Sequence, residues 1–140
     1  MPGNPQTTMF PARLQGLRAI RTFVERFCEA AGISREPCLR LNLVLEELFT
    51  NTVRHGHGKD CDAPVWVTLA RGSDAVGVVY EDTAPPFNPY ARLPDVAPAS
   101  TLELRKLGGL GVLLTRELAA SRDYSYIFGR NRIRLSLMLR

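Results

Sequence analysis

A chain of 140 residues, 45% hydrophobic and 23% charged, can build one compact core and is too ordinary in composition to be disordered or fibrous. Its formal charge of +4 rests on scattered arginines with no Lys/Arg run interleaved with aromatics, which argues against a dedicated nucleic-acid surface. The cysteines Cys28, Cys38 and Cys61 have no metal-ligand spacing and read as free thiols of a reducing compartment. With no signal-peptide core and no bilayer-length apolar run, the expected location is cytoplasmic.

Residues 1–12 are polar and Pro-rich and read as a tail or a short edge strand, leaving residues 13–140 as one domain. From Leu14, the residues Leu17, Ile20, Val24, Phe27, Cys28 and Ala31 fall at helical spacing, and Gly32 supplies the stop. A second helix is expected to start behind Ser34 as N-cap, with Glu36 and Pro37 in its first turn. Leu41, Val44, Leu45, Leu48 and Thr52 share one face. At ~100° per residue, Glu47 and Asn51 lie together at its border, while Glu46 points to solvent. Gly56 reads as the helix stop and His55 as a structural residue.

"VWVTLA", the turn "RGSD" and "AVGVVYED" predict a β-hairpin. The next stretch, "TAPPFNPYARLPDVAPAS", holds five of the ten prolines and predicts a long irregular loop. "KLGGLGVLLTRELAAS" reads as a Gly-rich turn entering a third helix. A closing hairpin follows, whose last strand alternates Ile133, Leu135, Leu137 and Leu139 with Arg132, Arg134, Ser136 and Met138. The implied fold class is α+β: a two-layer sandwich with a mostly antiparallel, mixed sheet covered on one face by three helices.

Three polar islands interrupt this scaffold. Glu47 and Asn51 pair a carboxylate that loses hydration, suited to a general base, with a hard amide oxygen suited to Mg²⁺. Taken alone, Glu-x-x-x-Asn is also the margin of any amphipathic helix. Asp82 closes a strand, where its carboxylate can accept from an exocyclic amine or simply open an Asx turn. Gly108, Gly109 and Gly111 precede a helix and let backbone approach a phosphate, although neither the Walker nor the dinucleotide pattern is present.

In this order and spacing the islands resemble the nucleotide-binding fold shared by gyrase, the large heat-shock chaperone and the histidine kinases. "ELFTN" (47–51) is similar to its N-box, "DTAPPFNP" (82–89) to its first glycine box and "GGLG" (108–111) to its second. "LVLEELFTNTVRHG", "PPFNP" and "GGLGVLLTREL" together resemble the bacterial anti-sigma factor serine kinases, from about Leu14 to the C-terminus. That resemblance implies ATP and Mg²⁺ as ligands, with Glu47 as general base and Asn51 on the metal. Asp82 is placed against the adenine amine, with Ala84, Pro86 and Phe87 in the same box, and Asn131 beside the base. Gly108, Gly109, Leu110 and Gly111 are placed around the phosphates, under a lid spanning about 90–107. Ala84 departs from the glycine more usual in the fold, and its methyl could crowd the base or reset the turn.

The implied partners are an anti-anti-sigma (STAS-type) protein as phosphate acceptor and a sigma factor held inactive. Neither nucleic acid nor membrane is implied, and a homodimer is possible. His55 and His57 are the only histidines and lie in no dimerisation helix, so the expected phosphate acceptor is another chain. Two other readings stay open: a catalytically silent ATP-binding switch, and a nucleic-acid face built on Arg130, Arg132, Arg134 and Arg140.

Overall fold

The computed structural model describes residues 5–92 and 119–139. The expected lid beyond residue 92, the second glycine box (Gly108, Gly109, Leu110, Gly111), the third helix and Arg140 lie outside the described residues.

A five-stranded sheet forms one layer, with strands β1 (Gln6–Pro11), β2 (Pro64–Arg71), β3 (Ala75–Asp82), β4 (Ala119–Ile127) and β5 (Arg130–Met138) in the order β1-β2-β3-β5-β4. All four pairings are antiparallel, so among the described strands the sheet is not mixed. Two helices, α1 (Leu17–Ala31) and α2 (Arg35–Asn51), make the other layer. Residues 6–11 form an edge strand, tied across to β2 by a Thr7–Thr68 hydroxyl contact of 2.8 Å.

Period-2 alternation sends Val65, Val67 and Leu69 of β2, Val76, Val78 and Tyr80 of β3, and Ile133, Leu135 and Leu137 of β5 toward the helices. There they meet Ile20, Val24 and Phe27 of α1 and Leu41, Val44, Leu45, Leu48 and Phe49 of α2. Each such aliphatic side chain contributes about 1.5–3 kcal/mol on burial, so this interface dominates stability. The same alternation decides the site. Asp82 continues the phase of Val78 and Tyr80, and Asn131 that of Ile133, so both polar residues face the buried layer.

Several expectations are corrected at element ends. Residues 14–16 form a single 3₁₀ turn, and α1 begins at Leu17. Gly32 does stop α1, in the left-handed region at φ 68°, with the Ile33 N–H returning to the Cys28 carbonyl at 2.8 Å. Ser34 occupies the N-cap of α2 in extended geometry, but its hydroxyl makes no capping bond. Glu46 does not simply face solvent; it pairs with Arg21 of α1 at 2.8 Å, because the two helices lie side by side. Gly56 does end the helical run, as expected, but not in the left-handed conformation. A π-helical turn (Thr52–Gly56) extends α2, closed by the His57 N–H on the Thr52 carbonyl at 2.8 Å, and Gly58 is the next residue with positive φ. His55 is exposed. β4 already runs from Ala119, within the stretch expected to be helical, because β5 offers a pairing edge as far as Leu137.

Candidate functional site

The end of α2 lies over the ends of β3 and β5, and a pocket of about 340 Å³, counting the open space at its mouth, lies between them. Leu48, Tyr80, Ala84, Phe87, Pro89 and Ile133 give it apolar walls; Asn51, Thr52, Asp82 and Asn131 supply its polar atoms. A carboxylate with 6% of its surface exposed must be matched by donors, and Asp82 is. Its Oδ2 accepts from the Thr52 hydroxyl at 2.7 Å. Its Oδ1 accepts from the Ala84 N–H at 3.1 Å and from Asn131 Nδ2 at 2.8 Å.

Asp82 and Asn131 are register partners on adjacent antiparallel strands, which puts their side chains together on one face. The orientation of the Asn131 amide follows from a fixed donor: the Phe87 backbone N–H reaches Oδ1 at 2.9 Å, so Oδ1 is the acceptor. Nδ2 is thereby turned to Asp82 and to the carbonyls of Ala84 at 2.9 Å and Pro85 at 3.1 Å. The Tyr124 hydroxyl of β4 adds a second donor to Oδ1 at 2.5 Å. One asparagine thus holds the whole turn 84–87 against the sheet. Beyond it the chain makes a short 3₁₀ turn (Pro89–Arg92), where the guanidinium of Arg122 of β4 lies 5.4 Å from the Tyr90 ring centroid.

Behind Asp82, Thr52 Oγ1 lies 2.6 Å from the Tyr80 hydroxyl and 3.1 Å from the Leu48 carbonyl. Burial raises the Tyr80 phenol well above its ordinary value, and the Asp82 charge pushes in the same direction against the Thr52 hydrogen bond. Tyr80 therefore stays protonated. On α2, Glu47 stands one turn before Asn51 and is half-buried; burial raises its carboxyl above the ordinary value, opposed by the charge of Arg54. A helix carboxylate held partly out of water can take a proton, and the amide oxygen one turn on is the kind of hard ligand a divalent cation can use.

A family model described as the histidine kinase-like ATPase domain matches residues 10–137. The chain belongs to this family. Comparison with curated proteins gives no match. As a histidine kinase-like ATPase domain, the protein is an ATP-binding regulatory module. No helix among the described residues is long and apolar enough to cross a membrane.

Of the residues singled out in the sequence of this ATPase domain, Asn51, Asp82, Ala84, Phe87 and Asn131 come together in the pocket. Glu47 is not among the lining residues, and Pro86 is exposed. Ala84 is buried, and its methyl is turned to Gly56: a Cβ placed on Gly56 would come within 2.8 Å of it. The Ala84 methyl is accommodated because position 56 has no side chain. The sequence pattern puts Thr52 on the inward face without marking it as a site residue, and it marks neither Tyr80 nor Tyr124. Tyr80 shares the strand phase of Asp82 and Thr52 follows Asn51, so both were within reach of pattern; Tyr124 depends on strand pairing, which no local pattern shows.

The outer face of the sheet carries its own charge network. Glu81 alternates away from Asp82 and takes Arg132 at 3.3 Å and Arg130 at 3.6 Å, while Arg130 stacks on Trp66 at 3.7 Å. Two of the arginines considered for a nucleic-acid face are therefore engaged within the protein.

Proposed function

We propose that this ATPase domain is an anti-sigma factor serine/threonine kinase: it binds Mg-ATP, phosphorylates a serine on an anti-anti-sigma (STAS-type) partner, and controls a sigma factor by exchanging partners. The observation that carries the reading is the placement of Glu47, Asn51 and Thr52 within two turns of one helix, the last bonded to a buried Asp82. Asp82 Oδ2 receives one donor among the described residues, which leaves it room to accept the amine of adenine. The apolar walls take the rest of the base. Asn51 would hold Mg²⁺ through its amide oxygen, and bound Mg²⁺ would supply charge neutralisation at the phosphates. Glu47 takes the proton of the incoming serine hydroxyl, a role helped by its raised carboxyl.

The test is transfer of labelled γ-phosphate from Mg-ATP to purified anti-anti-sigma domains, with Glu47→Gln beside wild type. Serine phosphorylation by wild type and its loss in Glu47→Gln, at unchanged ATP affinity, is the expected result. ATP binding without transfer to any such domain would leave the silent, ATP-gated switch as the function. Control of the sigma factor that survives Glu47→Gln would mean the same.

A further inference from the structure

We propose that Thr52 and Tyr80 are positioning residues that make the pocket select a purine with an amine at its six position over one with a carbonyl there. The inference rests on the ATP-binding reading and assigns to it two residues of the pocket lining whose hydroxyls act on the base through Asp82. Thr52 Oγ1 and Asp82 Oδ2 are 2.7 Å apart, so a proton must lie between them, and the carboxylate is the stronger acceptor. The single hydroxyl proton of Thr52 is committed there. Tyr80 and Thr52 are 2.6 Å apart, so a second proton must lie between those oxygens, and only Tyr80 has one left to give. The Leu48 carbonyl lies farther from both hydroxyls, 3.1 Å from Thr52 and 3.2 Å from Tyr80, and already receives the backbone N–H of Thr52, so the shorter contacts take the two protons.

The protons therefore run one way, from Tyr80 to Thr52 to Asp82. On the other carboxylate oxygen, the Ala84 N–H and Asn131 Nδ2 point the same way, the second fixed by the Phe87 N–H. Every described polar partner of Asp82 is a donor. The carboxylate thus meets a ligand only as an acceptor, and an amine satisfies it. A carbonyl at that place sets lone pairs against the lone pairs of a buried carboxylate, with no donor between them. Chained hydroxyls polarise one another, so donation by Tyr80 strengthens donation by Thr52.

The experiment is calorimetric titration of wild type, Thr52→Val, Thr52→Ser and Tyr80→Phe with ATP and with inosine triphosphate. The two ligands share ribose and phosphates and differ only at the six position and the adjoining ring nitrogen. Wild type is expected to favour ATP by roughly 10²-fold or more. Thr52→Val narrows that ratio about tenfold, since its methyl keeps the shape and removes the donor. Thr52→Ser restores the ratio, and Tyr80→Phe narrows it several-fold. A purely structural role would weaken both nucleotides together and leave the ratio alone. A ratio in Thr52→Val within twofold of wild type, or no recovery in Thr52→Ser, overturns the proposal. If Thr52→Val does not fold, Tyr80→Phe decides, and an unchanged ratio there overturns it. Wild type binding both nucleotides equally overturns the selectivity while sparing ATP binding. Wild type binding neither overturns the ATP-binding reading on which the proposal rests.

Discussion

Replacing Asn131 by alanine tests whether one side chain holds the turn 84–87. Asn131 is 4% exposed, and its amide connects Asp82, Ala84 and Pro85 on one side with Phe87 and Tyr124 on the other. Not every partner is stranded by its loss: Asp82 Oδ1 keeps the Ala84 N–H, and the Phe87 N–H keeps the Tyr124 oxygen at 3.1 Å. The bond to the Asp82 carboxylate is charge-assisted and contributes about 1.5–3 kcal/mol, and the neutral ones about 0.5–1.5 kcal/mol each. With water replacing part of the network, a net loss of about 3 kcal/mol is expected. For a domain of this size that lowers Tm by on the order of 5–10 °C. Urea unfolding gives the first figure, at an unchanged slope if the denatured state is unaffected. ATP affinity should fall as well, because the turn 84–87 loses its anchor to β5. A stability loss below about 1 kcal/mol would refute the accounting, since it would mean that the amide satisfies nothing water cannot.

Gly56→Ala forces a methyl to within 2.8 Å of the Ala84 Cβ and should cost about 1–3 kcal/mol; the double variant with Ala84→Gly should recover most of it, a coupling read by a double-mutant cycle in urea. Burial places the folded-state Glu47 carboxyl above its unfolded value, so its contribution to stability is full below the unfolded value and declines as pH rises through the folded one. Glu47→Gln should therefore gain stability relative to wild type as pH rises from below the ordinary carboxylate range to neutrality, while phosphotransfer falls about 10²–10⁴-fold; a relative loss over that rise would contradict the burial argument. The Cys28 thiol is 3% exposed and pushed up to about 12 by burial and then by Cys38, so iodoacetamide at pH 8 should label Cys38 and Cys61 and spare Cys28 in peptide maps of native protein.

Among the described residues, the sequence alone determined the order of the two helices and the hairpins. Helical and strand periods are local properties, and the switch from a 3.6-residue to a 2-residue period is visible at Pro64 and again before Arg130. It also determined the candidate residues Glu47, Asn51 and Asp82, because a carboxylate or amide on the border of an apolar face stands out against its neighbours. Element ends were less legible. The π turn after Asn51, the idle hydroxyl of Ser34 and the early start of β4 each depend on what the segment packs or pairs with. Only the tertiary structure set Asn131 opposite Asp82, Tyr80 behind Thr52 and Gly56 under Ala84. Those contacts join residues 28 to 49 positions apart in the chain, and nothing local reports which strand edge or helix face will be adjacent. The chemistry of the site was written in single residues; the direction of its protons was decided by their meeting.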